Sequence, residues 1–193
     1  ATDWARLAKD GTHYKLAYDR TGTWSQKYNM VWDKAWGTNL FSETIKRQEY
    51  NYYMTKLKTY GLPLDSRASY TKSDWEFWTA SLASNNTNFL KISNLLWKYA
   101  NETPSRVPFS DWYSTDGNGS WVSFRARSVV GGHWMKVYMD KLLSGEIGTA
   151  IAPIRADEVG NKASKYINGW YNLSGQKIDE PVQRGIYIKD GKT

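Results

Sequence analysis

Four carboxylates stand where acid–base chemistry can be done: Asp65 in Leu62-Pro63-Leu64-Asp65-Ser66-Arg67, Asp74 and Glu76 in Ser73-Asp74-Trp75-Glu76, and Asp111 in Pro108-Phe109-Ser110-Asp111-Trp112-Tyr113. Hydrolysis of an amide or a glycosidic bond can be run by two carboxyl groups in different environments, one held protonated as acid and one ionised as base. Arg67, Arg106, Arg125 and Arg127 lie in or beside the same segments, and a guanidinium orients an anionic group by bidentate hydrogen bonds. Trp75, Trp112 and Tyr113 offer flat faces for a sugar ring or walls for a small pocket. Each carboxylate also has a structural alternative. Glu76 can close a capping box with Ser73, Asp74 can complement a helix dipole, and Asp65 can pair with Arg67 to hold its loop. Asp111 has the least obvious structural task and is the first choice for catalysis. Asp33 joins the set only if its helix turns that face toward the loops.

Composition narrows the chemistry. The chain has no cysteine, which excludes thiol catalysis, thiolate metal sites and disulfides within it. Its two histidines, His13 and His133, have no metal-ligand neighbour at short spacing, and no Gly-x-Ser-x-Gly elbow is present. No metal and no cofactor are expected. Asp116-Gly117-Asn118-Gly119-Ser120 begins like a calcium loop but lacks the later Glu, so a tight polar turn is the expectation. Net charge is +7, yet Lys and Arg are interleaved with carboxylates, as in Glu43-Thr44-Ile45-Lys46-Arg47-Gln48-Glu49. That pattern fits a solvated surface and argues against nucleic-acid binding. Neither a membrane span nor a signal peptide is apparent. Eleven Trp and fourteen Tyr are more amphipathic rings than a helical core requires, so some are expected to line a groove.

The positioning elements are helices up to about residue 144. Residues 1–9 read as a helix end. In 25–36, Tyr28, Val31, Trp32 and Ala35 fall at the spacing of one apolar helical face, and Gly37 ends it. Ser42 caps a helix to about Tyr60. The Ser73 capping box opens a helix to Ser84, Thr87 starts another to about Asn101, and a last one spans about Arg125 to Leu143. Gly131-Gly132 inside it costs roughly 1 kcal/mol per Gly relative to Ala, a cost that close packing usually offsets. Short turns join 25–36 to 42–60 and 74–84 to 87–101, giving αα-hairpins. Segments 10–24, 61–73 and 102–124 are long, irregular and aromatic, and loops of that length are uncommon without a function. Each leads into a hairpin, so the three are expected on one face, as a mouth. Residues 1–148 form this helical unit, 149–164 a polar linker, and 165–193 a small β appendage with alternating runs at Tyr166-Ile167, Trp170–Leu173, Gln176–Ile178 and Gly185–Lys189.

Several motifs then occur in a familiar order. These are Tyr28-Asn29-Met30-Val31-Trp32-Asp33-Lys34, Gly61-Leu62-Pro63-Leu64-Asp65-Ser66-Arg67, Tyr70 through Ala80, Arg106 through Tyr113, and Ala126-Arg127-Ser128-Val129-Val130-Gly131-Gly132. Together they resemble the C-terminal half of the glutaminase A family, including its Bacteroides members, over about residues 1–143. The resemblance implies part of a six-hairpin (α/α)6 toroid and a much larger exported hydrolase, secreted, periplasmic or at the cell surface, that releases ammonia from glutamine. It also implies that the N-terminal half of the toroid is a partner, that this portion alone is inactive, and that an uncovered helical edge favours packing against another copy. It carries no catalytic residue assignment. The tail, Tyr171 through Lys177 followed by Gly185 through Lys192, resembles the surface-attachment module of exported Bacteroidetes proteins. A six-hairpin glycoside hydrolase and a non-catalytic carbohydrate-binding module share the same features, with a small molecule or a carbohydrate as ligand.

Overall fold

The computed structural model describes residues 1–147, 170–171, 177–180 and 188–189. It divides into two compact units, Ala1–Thr149 and Ala150–Thr193. The first is mainly helical: α1 (Thr2–Ala8), α2 (Met30–Trp36), α3 (Glu43–Met54), α4 (Ser73–Ala80), α5 (Asn86–Glu102) and α6 (Met135–Leu143). A 3-10 helix, Ser128–Trp134, runs directly into α6. Two small antiparallel pairs complete the unit, β1 (Lys9–Asp10) with β2 (His13–Tyr14) and β3 (Tyr70–Lys72) with β4 (Trp112–Ser114). No helix among the described residues is long and apolar enough to cross a membrane.

Several helices are shorter than their periodicity predicts, while α5 runs a residue longer at each end. Residues 25–29 are not helical, because their donors are used elsewhere: Gln26 N–H reaches the Leu64 carbonyl at 2.8 Å and Lys27 N–H the Tyr53 hydroxyl at 2.8 Å. α2 then ends at Gly37, whose φ of 62° is the left-handed stop that glycine supplies without strain. Ser42 caps α3 as expected, its Oγ accepting from Ile45 N–H at 3.3 Å, but the helix closes at Met54, where Thr55 and Lys56 turn back onto Tyr52 and Tyr53. Asn85 caps α5 by accepting from Asn88 N–H at 2.9 Å. The predicted helix over 125–143 splits into a 3-10 and an α segment. Asp33 serves the α2–α3 turn, accepting from Leu40 N–H at 2.7 Å and Thr38 Oγ1 at 2.5 Å and pairing with Lys46 at 2.8 Å.

The main core joins α2, α3, α4, α5 and α6 through Val31, Tyr50, Ala80, Ile92, Met135 and Met139. α4 is central, packing on α5, α6, α2 and the 3-10 helix. A second cluster holds Tyr60, Leu96, Tyr99 and Tyr113, with Tyr99 and Tyr113 stacked at 3.5 Å. The three long segments are tied to one another. Ser66 N–H donates to the Trp24 carbonyl at 3.0 Å, and β3 pairs with β4 in the register Tyr70↔Ser114, Thr71↔Tyr113 and Lys72↔Trp112. In the second unit β5 (Trp170–Tyr171) is the middle strand of an antiparallel sheet, flanked by β6 (Lys177–Ile178) and β7 (Ile188–Lys189). The predicted linker 149–164 and the strand at Tyr166-Ile167 lie outside the described residues.

Candidate active site at the start of α4

The β3–α4 junction gathers most of the predicted residues. The sequence pattern predicts a capping box here, and the structure replaces it. Lys72 takes the N-cap position with no side-chain cap bond. Ser73 Oγ turns to His133 Nε2 at 2.9 Å, and Glu76 points into the interior instead of back to the helix start. Both side chains have tertiary partners that outcompete the local bonds of a cap.

Asp111 is fully buried and closes this junction from the other strand. Arg127 grips it in a two-pronged pair, Nε to Oδ1 at 2.9 Å and the terminal nitrogen to Oδ2, while Lys72 Nζ lies 3.8 Å from Oδ2. Its carbonyl also accepts from Ser73 N–H at 2.8 Å. The carboxylate with the least obvious structural task in the sequence thus has a full set of partners. It is a fixed negative charge, locked beside α4.

Asp74 is the opposite case. It is 6% exposed, and its Oδ1 has no hydrogen-bond partner among the described residues. Burial pushes its pKa up, opposed by the N–H groups of Asp74 and Trp75 and reinforced by the charge of Asp111. Around it stand the Tyr28–Trp75 stack, with centroids 4.4 Å apart, and Trp78, whose buried indole N–H has no acceptor among the described residues. Gly132 makes this closeness possible. A Cβ there would sit 2.8 Å from Asp74 Cβ and 2.9 Å from Trp78 Nε1. The cost of that glycine in a helical segment is matched by tight packing, as predicted, whereas Gly131 faces open space.

Glu76, two residues along, is 0% exposed. Its Oε1 accepts from Leu62 N–H at 2.7 Å, and its Oε2 lies 2.7 Å from the Tyr113 hydroxyl, which is 2.9 Å from the Tyr60 carbonyl. A hydroxyl carries one proton and a carbonyl only accepts. With Tyr113 donating to Tyr60, the proton between Tyr113 and Glu76 belongs to the carboxylic acid. Burial pushes the Glu76 pKa up to about 8, in keeping with a neutral group. Tyr113 is therefore an interior strut, not the pocket wall that the sequence suggests.

Asp65 and Arg67 form the loop clasp. Arg67 donates to Asp65 from Nε at 3.0 Å, from a terminal nitrogen at 2.7 Å and from its backbone N–H at 2.8 Å. Burial raises the Asp65 pKa, but the bonds to Arg67 outweigh it and hold the carboxyl below its usual range. The pair borders a separate pocket of about 480 Å³ with Lys56 and Lys58, and it shares no bond with the Asp74 group. Asp116 pairs with Lys58 at 2.6 Å, in line with a polar turn. Among the described residues no group of three or more His, Cys, Asp or Glu can hold a metal ion.

Lys72, Trp78 and His133 belong to this region and carried no role in the sequence pattern. Lys72 Nζ lies 4.6 Å from the Trp112 ring and 5.6 Å from the Trp75 ring. His133 is pushed below its ordinary pKa by burial, with Asp111 pulling it back, and it lines a largely apolar pocket of about 740 Å³ with Phe77, Trp97, Phe109 and Arg127. A basic residue at a strand-to-helix junction was the available signal for Lys72. Nothing local marked His133, which reaches Ser73 across sixty positions of chain.

Comparison with known proteins places this arrangement. The model of the glutaminase A six helical-hairpin domain matches residues 1–137. The "Probable glutaminase" of the fungus Arthroderma benhamiae is 32% identical in an alignment covering 96% of this chain and 24% of that protein. Glutaminase A of Aspergillus oryzae is 37% identical over 62% of this chain and 18% of its own length. The chain thus spans about a quarter or less of the curated relatives it matches, and both are fungal, so they carry no support for a bacterial subgroup. No solved structure gives a significant match. With six α-helices and two short strand pairs among the described residues of the helical unit, and the match over residues 1–137, the chain belongs to the glutaminase A six helical-hairpin domain family.

Proposed function

We propose that this chain supplies part of the active site of an exported amide hydrolase that converts glutamine to glutamate and ammonia, with Asp74 as its acid–base group. The observation that carries this is the buried Asp74 carboxyl with an unpartnered oxygen and a raised pKa, set beside a carboxylate already neutralised by Arg127. Asp74 takes a proton from the water that attacks the carboxamide carbon, then returns it to the departing nitrogen as ammonia leaves. The Trp78 indole N–H, also unpartnered, is a donor for the oxygen on which charge develops. Asp111 and Arg127 hold the field around Asp74 constant. Export is read from the glutaminase A resemblance together with the tail motif, and a bacterial cell-surface address from the tail motif.

The test is ammonia release from glutamine by the whole protein and by its Asp74→Asn and Glu76→Gln variants. Asp74→Asn should lower kcat by about 100-fold or more, the usual worth of a positioned acid–base group, without lowering the melting temperature. Glu76→Gln should keep most of the activity. Turnover of an oligosaccharide and not of glutamine would replace this function with glycoside hydrolysis, and turnover of neither would leave a binding module.

A further inference from the structure

Lys72 joins β3 to α4, and its ammonium makes no hydrogen bond to any described residue. Its side chain is 15% exposed. The nearest carboxylate oxygen, Asp111 Oδ2, is 3.8 Å away and is already held by Arg127. Three rings surround the ammonium, Trp112 at 4.6 Å, Trp75 at 5.6 Å and Phe124 at 5.7 Å. Ring faces attract a cation but accept no strong hydrogen bond, and the long pair with Asp111 leaves the ammonium with donors to spare. Burial accordingly holds this lysine below its ordinary pKa, and the charge of Arg127 adds to the effect. The indole N–H of Trp112, the ring over which the ammonium sits, is buried with no acceptor among the described residues. A buried donor without an acceptor is rare in native proteins, and one beside a partly buried ammonium that is only loosely paired fits an anion with more than one oxygen.

We propose that Lys72, with the Trp112 indole N–H, binds the carboxylate of an amino-acid-like substrate, so that Asp74 faces the amide at its other end. The carboxylate site stands on the loosely paired ammonium and the idle indole N–H; its assignment to glutamine rests on the amide-hydrolase function proposed above. A planar carboxylate supplies the missing acceptors and cancels the positive charge left after Asp111 has paired with Arg127. Neutral oligosaccharides offer acceptors but no negative charge. Lys72 is thus the residue that makes a free amino acid, and not an amide in general, the substrate.

The experiment uses the whole protein, its Lys72→Met and Lys72→Arg variants, and two substrates, glutamine and glutamine with its α-carboxylate capped as an amide. Wild type should favour free glutamine over the capped form by at least tenfold in kcat/KM. Lys72→Met should raise KM for glutamine at least tenfold with a smaller change in kcat, leave KM for the capped substrate unchanged, and so erase the preference. Lys72→Arg should restore part of it. Equal use of the two substrates by wild type, or a Lys72→Met variant that loses kcat at constant KM, overturns the proposal. Should the Met variant fail to fold, the wild-type substrate comparison and the Arg variant still decide. If wild type releases no ammonia from glutamine, calorimetry with glutamate separates the two ideas. Binding weakened at least tenfold by Lys72→Met keeps the carboxylate site while the hydrolase assignment falls, and no binding to wild type removes both.

Discussion

Asp74 and Glu76 sit two residues apart on one helix, and burial raises both of their pKa values. They differ in what surrounds the oxygens. Glu76 has a donor on one oxygen and a phenol on the other, all inside a sealed cluster of Tyr60, Tyr99 and Tyr113. Asp74 keeps an oxygen with no partner and neighbours whose own N–H groups are idle. A perturbed pKa therefore does not by itself mark a site. Unfilled hydrogen-bonding capacity, at the same place, does. Glu49 supports the same rule: it is fully buried, yet Tyr14 N–H at 2.7 Å and Tyr53 Oη at 2.5 Å fill its oxygens, and it works as a strut between β2 and α3.

The comparison can be broken or sharpened by mutation. The largest effect on stability is expected at Gly61. Its φ is +135°, a conformation other residues rarely adopt, and a Cβ there would lie 2.0 Å from Glu76 Oε1. Because Glu76 is pinned at both oxygens it has no room to yield, so Gly61→Ala should cost about 3 kcal/mol from overpacking and backbone strain together. Denaturant unfolding would measure this, and a loss within experimental error would show that the Glu76 cluster is loose.

Next is the pH dependence. Glu76 has a pKa of about 8 when folded and an ordinary value of 4.5 when unfolded. The acid is neutral in the fold and ionised in the open chain between those values, so its stabilisation is complete below about 4.5. That contribution is lost as pH rises toward about 8, and stays lost above it. The slope for one such group is about 1.4 kcal/mol per pH unit. Glu76→Gln, which imitates the protonated acid, should flatten the unfolding free energy across that window. An unchanged slope would mean that Glu76 is ionised in the fold.

The smallest stability effect is expected on the Asp74 side. Gly132→Ala should destabilise the protein by about 1–2 kcal/mol through overpacking, less than Gly61→Ala because its φ is ordinary. It should nonetheless depress kcat markedly by displacing Asp74 and Trp78. A Gly132→Ala enzyme with full activity would show that the fit around Asp74 has no catalytic role.

The sequence carried much of the scaffold. Ser42 announces a helix start through a local hydrogen bond, Gly37 announces a stop through its free φ, and both act whatever surrounds them, whereas the start at Thr87 proved to be capped two residues earlier by Asn85. The Asp65–Arg67 clasp was also legible, since its partners are two residues apart. The capping box at Ser73 and Glu76 was locally sound and globally wrong, because His133, Tyr113 and Leu62 offered both side chains better partners than the helix start did.

What the sequence by itself determined is therefore what short-range physics determines: helical periodicity, caps, turns, and the family that the ordered motifs mark. The contrast between Asp74 and Glu76, the locking of Asp111 by Arg127, and the loosely paired ammonium of Lys72 were decided only by the tertiary structure. Each depends on which distant groups arrive at an oxygen or a nitrogen, and on how much water they displace. No spacing along the chain encodes that.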